Sequence, residues 1–240
     1  MAGIQVRTYD GGGLDDQVPF LARLEPADRS GLLALGRGLS YPPRCVVMHQ
    51  DEPSTHVLLI LRGWTKVTAA AVNGYEALLA LRGPGDIVGE GAALSGRPRA
   101  ATVTSLQHVD AVAIEQSRFT GFLQGTPHVA LKLLSLATDR LRSGDQRRLE
   151  TAALTVKERL AAFLLELART HGRRTGAGIE LTVPLGQHEI AGSIGASREA
   201  VARLLKELRD RQAVVTSRRR LVIVRPDVLH RISRGAAPGS

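Results

Sequence analysis

The sequence predicts an α+β protein with a strand-rich N-terminal domain, one long helix, and a C-terminal domain of helices and a strand hairpin. Three observations lead there. Short apolar or alternating segments separated by turn residues fill positions 44 to 115, helical spacing takes over from Pro127, and the excess positive charge lies entirely in the C-terminal part. With 240 residues, 43% hydrophobic and 23% charged, the composition is globular and the length suits two ordinary domains.

Residues 1 to 17, with Gly11, Gly12 and Gly13 together, read as a loose arm. From 18 to 36 the helical spacing is broken at Pro26, which predicts two short helices. After Tyr41-Pro42-Pro43 the period changes. RCVVMHQ, HVLLILRG, WTKVTAAAV, YEALLALRG, ATVTSLQ and VDAVAIE are strand-like, divided by Asp51-Glu52-Pro53, Arg62-Gly63, Asn73-Gly74 and Gly83-Pro84-Gly85. Asn73-Gly74 predicts a two-residue hairpin turn, because both residue types tolerate positive φ. Strands this short and this evenly spaced imply an antiparallel sandwich or barrel over 18 to 126.

A long helix is predicted over 127 to 152. Within it Ala130, Leu134, Ala137, Leu141, Gly144, Arg148 and Thr151 alternate by four and three, the seam of a two-helix coiled coil. Small Ala137 and Gly144 let two backbones approach, and Arg148 weakens the seam. The same spacing suits an amphipathic helix packed on its own domain, and spacing alone does not choose between the two.

The domain over 153 to 232 opens with the helix TVKERLAAFLLELARTHG, followed by the loop RRTGAG and the strand IELTVPL. QHEIAGSIGASREAVARLLKELRDR then meets the packing needs of a helix-turn-helix. Ala191 leaves room for a crossing helix, Gly195 turns the chain, and Val201 and Leu204 dock the second helix, which Ser197 caps. AVVTSRRRLVIV reads as two strands around Arg218, Arg219 and Arg220, a basic hairpin that makes the domain a winged helix and can lie along phosphates. Residues 233 to 240 read as a flexible tail.

Net charge is +9, yet residues 1 to 138 balance at 12 basic and 12 acidic, while 139 to 240 carry 20 basic and 11 acidic. That asymmetry points to a polyanion partner, nucleic acid ahead of membrane. No apolar run of about 18 residues and no signal-peptide pattern occurs, so a cytoplasmic protein without membrane attachment is expected. A single cysteine, Cys45, excludes an intramolecular disulfide and any metal or iron-sulfur site needing several thiolates from one chain. Cys45, His49 and His56 are the residues that a haem would use, and on strands they read as core or rim. An enzyme is not expected: no Ser-His-Asp set, metal motif or Walker loop occurs, and His188-Glu189 lacks a second histidine at the zinc interval.

The combination of GDIVGE and RPRAATV, a long helix and SREAVARLLKEL resembles the cyclic-AMP receptor protein and FNR family of bacterial transcription regulators, over roughly residues 18 to 230. The resemblance implies a double-stranded β-helix (a jelly-roll, cyclic-nucleotide-binding-like domain), then a dimerisation helix with Leu134, Ala137, Leu141 and Gly144 at the interface, then a winged helix-turn-helix. Double-stranded DNA, a second copy of the chain and RNA polymerase are the implied partners. Arg198, Glu199 and Arg203 stand at base-reading positions for an inverted repeat of TGTGA-like half-sites. Gln187, Ser197 and Lys206, with the hairpin Arg218, Arg219 and Arg220, are expected on phosphates.

In the family's ligand site, to which Gly89 also belongs, Glu90 and Arg99 match residues that take a ribose hydroxyl and a cyclic phosphate. Two departures accompany the match. Ala100 stands where a serine would help hold the phosphate, and Gly144 and Asp145 stand where two hydroxyl residues would contact adenine. The effector is therefore a cyclic nucleotide (cAMP or cGMP), another small molecule, or none, with Glu90 and Arg99 then a structural ion pair. A protein-docking β domain beside a non-specific nucleic-acid binder is a further alternative.

Overall fold

A computed structural model describes residues 18–217 and 220–235. The arm expected over 1 to 17, together with Arg218, Arg219 and the last five residues, lies outside the described residues. The chain divides into two compact units, Met1–Asp145 and Gln146–Ser240.

In the first unit a 3₁₀ helix, Phe20–Arg23, precedes α1, Pro26–Ala34. Pro26 opens α1, where its missing N–H costs nothing. Two four-stranded antiparallel sheets follow. One has the order β1 (Arg37–Tyr41), β8 (Val109–Glu115), β3 (His56–Arg62), β6 (Ile87–Val88), and the other β2 (Val46–Met48), β7 (Thr102–Ser105), β4 (Thr65–Ala70), β5 (Glu76–Arg82). This interleaved order is a jelly roll. Met48, Leu58, Ile60, Val88, Val103, Val109, Ala111 and Ala113 fill one core. Residues of the opposite parity, Val57, Leu59, Ile87, Val112 and Ile114, form a second core with Phe20, Leu21 and Leu32, with Phe119 and Leu123 of α3 (Gln116–Gly125), and with Val129, Leu133 and Leu136 of α4 (Pro127–Ala153). Strand β3 is covered on both faces, which is why HVLLILR reads as a continuous apolar run.

The hairpin at Asn73-Gly74 exists, but its turn is wider than two residues. Ala71 N–H donates to Tyr75 O at 2.8 Å and Gly74 N–H to Ala71 O at 2.9 Å, so residues 71 to 75 make the loop. Of the pair, Gly74 takes the positive φ, 81°. Asn73 instead accepts the Tyr75 N–H on Oδ1 at 3.1 Å, a local bond that closes the turn without a left-handed asparagine.

In the second unit α5, Val156–His171, begins at Thr155 in a capping box: Thr155 Oγ1 accepts from the Glu158 amide and the Glu158 carboxylate accepts from the Thr155 amide at 2.7 Å. Strands β9 (Gly172–Thr175) and β10 (Gly178–Leu181), helices α6 (Gln187–Ile194) and α7 (Arg198–Asp210), strands β11 (Val214–Ser217) and β12 (Arg220–Ile223), and α8 (Pro226–Ser233) complete it. The sheet order is β11-β12-β10-β9. Arg173 and Arg174, expected in a loop, lie on β9 opposite Glu180 and Ile179. No described helix is long and apolar enough to cross a membrane.

Candidate nucleic-acid interface and effector site

Helix α6 starts at Gln187, half-buried, after Gly186, whose N–H donates to Glu189 at 2.9 Å. It ends at Gly195, left-handed at φ 60° and ψ 48°, a conformation that glycine adopts without steric cost. Ser197 then caps α7, its Oγ accepting from the Ala200 amide at 3.1 Å. Val201, Leu205 and Leu208 are buried beneath α7. Leu204, expected to dock the helix, is half-buried, because a four-residue step from Val201 makes Leu205 the deeper residue.

Arg198, Glu199, Arg203 and Lys206 are all exposed. Steps of four and three put 199, 203 and 206 on one face, with Arg198 beside them in the first turn. The Glu199 carboxyl is held below the usual range, chiefly by its own backbone N–H at the helix start and then by the Ser197 hydroxyl. It is therefore an ionised acceptor. Arg220, expected on phosphate, is tied back to the sheet: Glu180 accepts from Arg220 Nε at 2.5 Å and from Arg173 Nη2 at 2.9 Å.

In the first unit Gly89 joins β6 to α2, Glu90–Ser95, with φ at 86°. A Cβ there would overlap Arg99 Nη1 and Met48 Cε, so glycine is required both for the turn and for the approach of the guanidinium. Arg99 is 4% exposed. Its Nη2 donates to the His56 carbonyl at 2.8 Å, while its Nη1 is buried without a hydrogen-bond partner. Burial pushes the guanidinium's pKa down, opposed by the carboxylates of Glu52 and Glu90.

Glu90 is not ion-paired with Arg99. Its partner is Arg140 of α4, at 2.5 Å through Nη1, whose Nη2 also donates to Ile87 O at 3.1 Å and lies 3.8 Å from Asp86. Buried Asp86 accepts the Gly83 N–H at 2.8 Å, and desolvation raises its pKa. Arg140 was missed in the sequence, although a signal existed: it continues the stripe Val129, Leu133, Leu136 by a further step of four. A charge on a stripe that faces the core needs a buried partner. Next to it Asp139 pairs with Arg23 at 2.8 Å, both side chains 10% exposed.

Ala100 and Asp145 are exposed and Gly144 is half-buried. On the outward side of α4, Leu134 and Leu141 are each 62% exposed, with Ala137 exposed between them, whereas Ala130 packs on the inner core. His49 is exposed, and His56 and Cys45 are half-buried. Burial, then Arg99 and Arg37, lower the His56 pKa. His56 borders a cleft of about 590 Å³ with Arg37, Tyr41, Glu115 and Arg118. Among the described residues no group of three or more His, Cys, Asp or Glu side chains is placed to hold a metal ion.

A model of the cyclic nucleotide-binding domain matches residues 39–126, and one of the Crp-like helix-turn-helix domain matches residues 158–232. The chain is 29% identical over 188 residues to the CRP-like cAMP-activated global transcriptional regulator of Mycobacterium tuberculosis, covering 78% of this chain and 84% of that protein. It is 28% identical over 199 residues to the cyclic AMP receptor protein of Thermus thermophilus, covering 82% and 88%. Its fold is similar to that of the c-di-GMP responsive global regulator CLP of Xanthomonas campestris, with a TM-score of 0.74, 20% identity, and coverage of 83% of this chain and 99% of the other. CooA of Carboxydothermus hydrogenoformans gives a TM-score of 0.72 at 22% identity, covering 95% and 99%.

A jelly-roll domain that belongs to the cyclic nucleotide-binding class, a long helix, and a helix-turn-helix presenting basic side chains define a DNA-binding transcriptional regulator rather than an enzyme. The chain belongs to the CRP/FNR family of transcriptional regulators.

Proposed function

We propose that the protein works in the cytoplasm as a homodimer joined along α4, and that it binds an inverted repeat of TGTGA-like half-sites. The observation that carries this reading is the exposed set Arg198, Glu199 and Arg203 on a capped helix whose other face is buried. Each arginine presents a bidentate fork to guanine, and Glu199 accepts from a cytosine amino group, each good contact being worth about 1–3 kcal/mol of discrimination. Gln187, Ser197 and Lys206 serve the phosphates. Two recognition helices reach successive major grooves about 34 Å apart only in a dimer. Leu134, Ala137 and Leu141, apolar and exposed on one helix face, suit that contact. RNA polymerase is the partner through which bound DNA becomes a transcriptional output.

Its effector is an anionic small molecule of nucleotide type, held by Arg99 with Glu90 beside it. The unpartnered, buried Nη1 of Arg99 favours this over a ligand-independent regulator, because such a donor is costly unless an acceptor arrives. Ala100, Gly144 and Asp145 favour a base other than adenine. Calorimetric titration of the purified protein with cAMP and with cGMP, repeated on Arg99→Ala, tests the effector. Binding of either nucleotide that is lost in the variant supports a nucleotide gate. No heat from either, beside intact binding to an inverted repeat in a shift assay, rejects these two effectors.

A further inference from the structure

The first turn of α5 holds one arginine whose bonds reach two other elements. Arg159 Nε donates to Ile194 O at 2.8 Å and Nη2 to Gly195 O at 3.4 Å. Its Nη1 donates to Leu154 O at 2.8 Å and to Thr151 O at 3.1 Å. Thr151 and Leu154 close the end of α4, and Ile194 and Gly195 close α6 and turn the chain toward the recognition helix α7. The last carbonyls of a helix lack intrahelical donors and carry its partial negative charge. A single guanidinium therefore satisfies carbonyls at the C-terminal ends of two helices at once through its planar fork of donors.

Neighbouring Lys157 grips α7 further along. Lys157 Nζ lies 2.6 Å from Glu207, which also pairs with Arg211 at 3.0 Å. The Thr155–Glu158 capping box fixes the start of α5, so Lys157, Glu158 and Arg159 each have a separate contact. Along the chain Gly195 is distant from the end of α4. Through Arg159 it is one side chain away.

We propose that Arg159 is a positioning residue for DNA recognition: it sets the turn before α7 against the last turn of α4, so that a movement of that turn reaches the base-reading side chains. This rests on the reading of α7 as the recognition helix. If Arg159 were only structural, its loss would weaken the whole second unit and all DNA binding together.

The test uses the full chain with Arg159→Ala and Arg159→Lys. Lysine keeps the charge but concentrates its donors at one atom, too compact to span four carbonyls. In Arg159→Ala, affinity for an inverted-repeat duplex is expected to fall by about tenfold or more, the worth of a charge-assisted contact. Affinity for a scrambled duplex of equal length should change less than about twofold, since phosphate contacts are untouched. Hydrogen exchange at residues 193–197 should rise while that of α5 does not. Arg159→Lys should restore thermal stability without restoring sequence preference, and it decides the matter if the alanine variant does not fold. Unchanged exchange at 193–197, or equal losses on both duplexes with a lowered melting temperature, would overturn the proposal. A wild-type protein without preference for the inverted repeat would instead sink the reading of α7, and the exchange data would still decide the role of Arg159.

Discussion

In the first unit a buried guanidinium, Arg99, has one amino group bonded to His56 O and the other without a partner. Gly89 makes room for it. Gly89→Ala places a side chain at φ 86° and into Arg99 Nη1, so it is expected to cost about 1–3 kcal/mol of strain in the first unit and to abolish the proposed effector binding. Gly91→Ala, two residues along in α2 with nothing within 4 Å of its Cβ position, is the control and should leave both unchanged. Thermal melts followed by circular dichroism, with calorimetric titration, separate the two variants. Ala100→Ser is expected to strengthen binding of a phosphate-bearing effector by about tenfold, the worth of one hydrogen bond to a charged group. Glu90, Arg99 and the loss of the serine were all legible in the sequence. Arg140 was missed because it lies outside the motif, and the stripe that carries it, Val129, Leu133 and Leu136, shows that it meets the motif only once that face of the helix is known to be the buried one.

Helix α4 shows why that information was missing. Two apolar stripes one residue apart run along it, Val129, Leu133, Leu136 and Leu134, Ala137, Leu141, and periodicity fits either to the domain core. The structure buries the first and leaves the second exposed. On the proposed dimer along α4, Leu134→Glu with Leu141→Glu should therefore preserve helix content and melting of the first unit while yielding a monomer, read by sedimentation or light scattering. A protein that stays dimeric would remove α4 from the interface. Helices with side-chain caps were legible at their starts, Thr155 and Ser197 both being caps in the structure. The short α2 and α3 were not, since packing rather than a local signal defines them. Ser197→Ala is expected to cost about 1 kcal/mol through loss of the cap on α7. At the other end of α7, Lys157 first and then Arg211 hold the Glu207 carboxyl below the usual range. That contribution is present above the ordinary glutamate pKa of about 4.3 and fades as pH falls through the depressed value. Because Glu207 is about a third exposed, Glu207→Gln should cost no more than about 1 kcal/mol at pH 7 and nothing in strong acid, as urea titrations at the two pH values will read.

At the scale of the whole molecule, charge and fold divide the labour in the same place. The strand-rich part is neutral and the part that carries α7 holds the entire excess of nine positive charges, an asymmetry plain in the sequence before any element is assigned. A sandwich or barrel was legible from the turn residues between strands, and the resemblance implied the jelly roll, whereas β1, β6 and the partners of Arg220 and Arg173 were not legible, since β9 and β12 meet Glu180 only after the sheet has formed. Basic charge attracts any DNA, and the few exposed residues of α7 must turn attraction into choice. Two substitutions on that one helix should separate these effects. On the proposed reading Lys206→Ala removes a phosphate contact, so it should weaken inverted-repeat and scrambled duplexes alike and reduce the slope of log affinity against log salt by about one per binding site. On the same proposal Arg198→Ala removes a base contact, so it should lose about 1–3 kcal/mol on the preferred duplex, little on the scrambled one, and relax preference at a single base pair of each half-site. Anisotropy titrations over a range of salt concentrations distinguish the two. Equal losses on both duplexes for Arg198→Ala would make Arg198 one more phosphate ligand and move base reading to Glu199 and Arg203.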